Sequence, residues 1–154
     1  MVQEADLKWV SENVYRFIEL VKVPCFHLAV ESLSTHQHQA SDRMMVASLW
    51  SGIEAVFNIH SELSFRLASS IAVVTEPLGP GRKAVYKEVV KLYRTRSKAV
   101  HGAKLSLEQI HRHVLDVRAI LSRILCRYIE EGEVFSEERI ENEMFGISGS
   151  VPHA

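Results

Sequence analysis

The chain is predicted to be all-α, an antiparallel helical bundle of four main helices preceded by a leading helix. Three observations carry that prediction. Apolar residues recur at intervals of three and four over most of the chain, which is the period of a helix. Nowhere do they alternate one by one, as a half-buried strand requires. The breaks between periodic stretches fall on caps and breakers: Ser41, the run EPLGPGR from Glu76 to Arg82, Gly102, Ser106 and Gly132. At 154 residues and 47% hydrophobic content, the chain can build one domain with its own core. We read residues 1–146 as that domain and 147–154 as a flexible tail.

The leading helix runs from Glu4 to Lys22, with Val10, Val14, Phe17, Ile18 and Val21 on one face and Trp9 beside them. Pro24 argues against continuation past Val23. Cys25 to Ala40 is poorly periodic and reads as at most a turn of helix followed by loop. Ser41 is a natural N-cap with Asp42 in the first turn, opening a helix to about His60 that turns Met45, Leu49, Ile53, Val56 and Phe57 inward. Glu54 flanks that stripe.

A further helix starts at Ser61 or Glu62 and reaches Thr75 along Leu63, Leu67, Ile71 and Val74. The prolines and glycines of EPLGPGR then reset the chain direction. The next helix, about Arg82 to His101, ends at Gly102. Ser106 and Gln109 form an S-x-x-Q capping box. The helix it opens is the strongest periodic signal, with Leu107, Ile110, Val114, Val117, Leu121, Ile124 and Tyr128 spaced by three and four up to Gly132. A short helix from Ser136 to Met144 follows.

The net charge is −1, so global charge points to no partner, but its distribution does. Arg82 to Lys104 holds eight Lys or Arg against one acid, Glu88, whereas the stretch Glu130 to Glu143 is acidic. A basic segment of that kind attracts a polyanion. Cys25 and Cys126 form no C-x-x-C pair and read as reduced, core-like thiols. No apolar run approaches the ~18 residues of a membrane span, and no leader opens the chain, so a cytoplasmic protein without a membrane partner is expected.

The stretch with most chemical content is Leu92 to Gly102, LYRTRSKAVHG. Arg96 falls four residues after Leu92 in an apolar stripe, and His101 stands just before the glycine. Polar groups in such places need a partner or a use. Arg96 can pair with a buried carboxylate, for which Glu54 is the candidate, or it can bind a ligand.

The run Arg96 to Gly102, RSKAVHG, resembles the Arg-x4-His signature of HEPN domains, most closely their Apea-like branch. LWSGIEAVF (Leu49 to Phe57) and ELSFRLASSIAVV (Glu62 to Val74) match the same branch in the same order, so the resemblance covers about Ser41 to Tyr128. It implies a HEPN-like bundle and a metal-independent ribonuclease site formed across a homodimer, in a toxin with an antitoxin or other regulatory partner, or in a phage-defence component. The family pattern places its Arg at Arg96 and its His at His101. Ser97 stands where many members carry Asn, Asp or His; a hydroxyl still hydrogen-bonds but handles protons less well.

These residue types suit RNA cleavage by 2′-OH attack on the adjacent phosphate. Histidine, with an ordinary pKa of ~6.5, can take or give a proton near neutrality. Arginine presents a fixed fork of donors to phosphate oxygens. One chain carries one motif His for a two-proton reaction, so a dimer would complete the site. Helix geometry alone favours a different Arg, since Arg94 lies within about 20° of His101 and Arg96 about 140° away at ~100° per residue. We nevertheless assign Arg96 and His101 as catalytic, on the family pattern rather than on these angles. Arg94, Lys98 and Lys104 bind the RNA backbone, while Glu54, Ser97 and Tyr93 support the site, Tyr93 as core or as a base-stacking ring.

Other chemistries find less support. His111 and His113 are two residues apart, about 200° on a helix, and cannot share an ion. No ligand cluster, nucleophile elbow or phosphate loop is visible, so no metal or other cofactor is expected. The alternative to an enzyme is a non-catalytic helical dimer that binds RNA, a nucleotide or a partner protein.

Overall fold

The structure, a computed structural model, describes residues 3–59, 63–100 and 105–147, without the side chains of Leu63 and Val100. Seven α-helices follow in order: α1 (Glu4–Leu20), α2 (Pro24–Thr35), α3 (Asp42–Phe57), α4 (Leu63–Thr75), α5 (Pro80–Val100), α6 (Leu107–Glu131) and α7 (Glu137–Met144). A single 3₁₀ turn, His36–His38, links α2 to α3. Among the described residues there is no strand, and no helix is long and apolar enough to cross a membrane. The 147–154 tail reading falls outside the described residues except for Ile147.

The local signals act where they stand. Ser41 Oγ accepts from the Met44 amide at 3.4 Å, and α3 starts at Asp42. Ser106 and Gln109 close a reciprocal capping box, with amide-to-side-chain bonds of 2.9 and 3.1 Å. Ser136 caps α7 through the Arg139 amide. Gly132, at φ +78°, takes the left-handed conformation that ends α6. α3 stops at Phe57, short of His60, because Asn58 adopts φ 49° and returns its amide to the Glu54 carbonyl. α5 begins at Pro80, earlier than Arg82, since a proline at the first helical position loses no intrahelical bond.

The largest departure from expectation is α2. Pro24 ends α1 and also opens the next helix as its first residue, so the stretch read as irregular is a helix of 12 residues. α2 lies against α3 more extensively than any other pair of helices pack. Gly52 permits this approach, since a Cβ there would sit 2.8 Å from the Ser32 Cβ and 3.3 Å from the Ala29 Cα. A mid-helix glycine costs about 1 kcal/mol of helix propensity, and close packing of two helices is what offsets it.

α6 is the central helix, touching α1, α2, α3, α4 and α5. Val117, Leu121, Ile124 and Tyr128 have no exposed surface, and they meet Phe26, Leu49, Trp50, Ile53, Leu67 and Ile71 in one core. Leu107, counted in the periodic stripe, is instead exposed in the first turn of α6. Neither thiol is core-like, since Cys25 is half-buried and Cys126 exposed.

α1 packs edge-on. Trp9 Nε1 donates to Glu130 at 2.8 Å, and Arg16 Nη1 donates to the Glu130 carbonyl at 2.6 Å. The residues it buries are Asn13 and Leu20. Its apolar face is left at the side: Val10, Val14 and Phe17 line a groove of about 370 Å³ with Val30, Leu33 and Leu125.

Candidate functional site

The second half of α5 presents two chemically different faces. Arg94 and Arg96 are two residues apart, so a helix turns them in opposed directions. Arg94, Ser97 and Lys98 are exposed to solvent, whereas Arg96 and Tyr93 are half-buried against α3. The helical period alone puts Arg94 and Arg96 on different faces, and they lie on different faces here. His101, Gly102 and Lys104 lie outside the described residues, so the motif histidine and the third proposed backbone cation are not placed here.

Arg96 Nη2 stands 3.2 Å from Glu54 Oε1, with the two side chains 25% and 24% exposed. Glu54 is thus the partner that the sequence proposed. The pairing is electrostatic rather than a complete hydrogen-bonded fork. Glu54 Oε1 and Arg96 Nε are both buried and neither makes a hydrogen bond among the described residues. The guanidinium lies 5.3 Å from the centre of the Tyr93 ring, one turn back on the same helix. Burial pushes the Tyr93 hydroxyl above its ordinary pKa; the Arg96 cation opposes that and the Glu54 carboxylate reinforces it. Tyr93 is therefore a neutral donor beside the pair.

Behind Tyr93 stand two residues that the sequence reading did not assign to the site. The Trp50 ring meets Tyr93 edge to face at 5.2 Å. Its Nε1 donates to His113 Nε2 at 3.1 Å, a fully enclosed bond between α3 and α6. The bond requires an unprotonated Nε2, so His113 is neutral and carries its proton on Nδ1, which has no partner among the described residues. Burial holds the His113 pKa below the ordinary value, with Asp116 acting weakly the other way. His111 is exposed while His113 is buried, as their spacing demands. The position of His113 beside Val114 in the apolar stripe was the available signal. Arg43 adds a third tie between α3 and α5, donating from Nη1 to the Ala99 carbonyl at 3.1 Å near the helix end.

A continuous line of contacts therefore runs from His113 through Trp50 and Tyr93 to Arg96 and Glu54. It fixes where the Arg96 side chain sits and leaves part of its donor fork unused. Among the described residues, no three His, Cys, Asp or Glu side chains are grouped to hold a metal ion. Neither a protein-family model, nor a curated protein, nor a solved structure matches this chain.

Proposed function

We propose that the protein is a metal-independent endoribonuclease of the HEPN type, acting as a homodimer in a toxin–antitoxin or phage-defence setting. The observation that carries this reading is Arg96. It is a half-buried arginine, held in place by Glu54 and Tyr93, whose Nε makes no hydrogen bond among the described residues. Its neighbours Arg94 and Lys98, on the exposed side of the same helix, form part of a basic face to which phosphate would be drawn.

In the proposed reaction the ribose 2′-oxygen attacks the adjacent phosphorus. Its proton passes to one His101 imidazole while the P–O5′ bond breaks. The departing 5′-oxygen takes a proton from the second, protonated His101, supplied by the other protomer. Arg96 stabilises the charge on the non-bridging oxygens. Arg94, Lys98 and Lys104 hold the flanking backbone, and Ser97 is a hydrogen-bonding neighbour rather than a proton carrier. The products are a 2′,3′-cyclic phosphate and a 5′-hydroxyl.

The specific test is single-turnover cleavage of RNA in EDTA, with His101→Ala as the control and the mass of the active species measured alongside. Activity that survives EDTA, disappears in the variant and resides in a dimer supports the reading. An active monomer, or cleavage that is indifferent to His101, rejects it. The Glu54 pairing favours a second reading, a non-catalytic RNA- or partner-binding module in which Arg96 only joins α3 to α5. Binding without cleavage by the intact protein would select it.

A further inference from the structure

The exposed face of α5 carries Lys83, Lys87, Lys91, Arg94 and Lys98, spaced by four, four, three and four. At ~100° per residue these side chains fall within an arc of about 80°, and at 1.5 Å per residue they extend for about 22 Å. The arc lies opposite the buried line of Val85, Val89, Leu92 and Ala99. All five are exposed, and none has an ion-pair partner among the described residues. The other cations of this segment are differently engaged. Arg96 faces Glu54, and Arg82 donates to the Glu76 and Glu143 carbonyls.

Helix stability does not account for this row. Like charges three and four apart destabilise a helix by about 0.2–0.5 kcal/mol per pair, and the row contains four such neighbours. Elsewhere the chain places opposite charges at these spacings: Lys8 with Glu12 on α1, Lys22 with Glu19 at its C-terminal end, and Arg127 with Glu131 on α6. A protein-binding surface would also carry apolar or aromatic anchors. No large hydrophobic residue of α5 is exposed among the described residues. What remains is a narrow, linear, single-signed strip with intervals of about 4.5–6 Å along the axis.

We propose that this strip is a sequence-independent track for the phosphate backbone of single-stranded RNA, running along the outer face of α5 through Arg94 to Lys98. Lys83, Lys87 and Lys91 extend the contact surface about three turns beyond the residues assigned to the cleavage site. One file of cations matches one file of phosphates, whereas a duplex presents two strands across a groove. The proposal rests on the ribonuclease reading only for the destination of the strand.

The experiment measures binding of an uncleavable 2′-O-methyl oligouridylate across a salt titration. Wild type is compared with the triple variant K83Q/K87Q/K91Q and with the control K8Q/K22Q, which removes two cations from α1 and the turn that follows it. Circular dichroism checks that each variant is folded. At ~0.7 counterions released per single-strand contact, the triple variant should flatten the logarithmic salt slope by about 2 and lose roughly 100-fold in affinity near 0.1 M salt. The α1 control should match wild type. An unchanged triple variant, or an equal loss in the α1 control, overturns the track. So does tighter, ridge-dependent binding of duplex RNA, or equal competition by polyglutamate. Because the oligonucleotide cannot be cut, these outcomes stand apart from catalysis. Ridge-dependent binding without cleavage of ordinary RNA by the wild type would reject the ribonuclease reading alone.

Discussion

Among the described arginines that sit over aromatic rings beside carboxylates, Arg96 and Arg139 are used in opposite ways. Arg139, in the first turn of α7, lies 3.5 Å from the centre of the Phe135 ring. Its Nε meets Glu143 at 3.2 Å, its Nη2 meets Glu131 at 2.7 Å, and its Nη1 is bonded to Glu133. Each guanidinium nitrogen therefore has a carboxylate of its own. Arg96 has one carboxylate at 3.2 Å and a ring at 5.3 Å, and its buried Nε has no partner among the described residues. Arg139 is a finished clamp that docks α7 on the end of α6, and three acids around it would repel an incoming phosphate. Arg96 is positioned but not saturated, and the basic strip runs along the other, exposed side of the same helix. One carboxylate in place of three leaves this guanidinium incompletely paired.

That contrast is open to measurement. On the ribonuclease reading, Arg96→Ala lowers single-turnover cleavage by about 10²–10³-fold or more, the cost of losing a donor aimed at developing charge. RNA affinity survives in that variant. Arg139→Ala, assayed while folded, leaves the rate unchanged. If both variants lose cleavage equally, the distinction between the two arginines fails.

Stability should reverse the order. Leu121→Ala sets the scale at about 2–5 kcal/mol, because Leu121 is fully enclosed in the core. Arg139→Ala should cost about 1–3 kcal/mol. It leaves Glu133 and Glu143 without this partner and Glu131 with Arg127 alone, but the Arg139 side chain is 30% exposed and solvent screens part of the effect. Arg96→Ala, which orphans one acid, should cost about 1 kcal/mol or less. Urea unfolding of the three variants gives the ranking, and an Arg96 cost equal to that of Arg139 would make Arg96 a clamp as well.

The two regions should also respond to different acidities. His113 has a folded pKa below its ordinary ~6.5, so the unfolded chain binds that proton more readily. The stability this gives is present above about pH 6.5 and is lost as pH falls below it, at no more than about 1.4 kcal/mol per pH unit. Glu131 is held below the ordinary carboxylate range, chiefly by its hydrogen bond from Arg139. Its contribution is intact above about pH 4.5 and is lost as pH falls further, through the lowered folded value. Urea midpoints against pH should therefore fall in two steps. His113→Gln should remove the upper step and Arg139→Ala should shrink the lower one. A single step common to both variants would contradict the assignment.

The smallest effect separates Arg96 from its neighbour on the outer face. Arg94→Ala should weaken RNA binding by several-fold and reduce the salt slope by about 0.7, the share of one phosphate contact, with turnover of bound RNA retained. Loss of turnover from Arg94→Ala, with Arg96→Ala active, would transfer the catalytic role to the arginine that ideal helix angles place beside His101.

Much of this molecule was legible in the sequence because its instructions are local. The all-α class followed from apolar spacing, and the helix ends at Ser41, Ser106 and Gly132 are set by side chains or φ angles within a few residues of the break. The opposed placement of Arg94 and Arg96 needed only the helical period. Glu54 could be named as a partner because it borders the inward stripe of its helix.

What local rules left undecided is what each face meets. Pro24 serves equally as the end of one helix and the start of another, and the close approach of α2 to α3 needs the missing Cβ of Gly52. The apolar side of α1 was plain, but its exposure over a groove depends on where α2 and α6 lie. His113 became a buried acceptor only when Trp50 was brought to it from 63 residues away. Arg96 and Arg139 look alike as residues, each near an aromatic ring and an acid in sequence or space. Whether a guanidinium is fully partnered or keeps a donor in reserve depends on how many carboxylates converge on it. Convergence between distant segments is a property of the packed chain, since charge–charge and hydrogen-bond energies depend on distances that only packing sets.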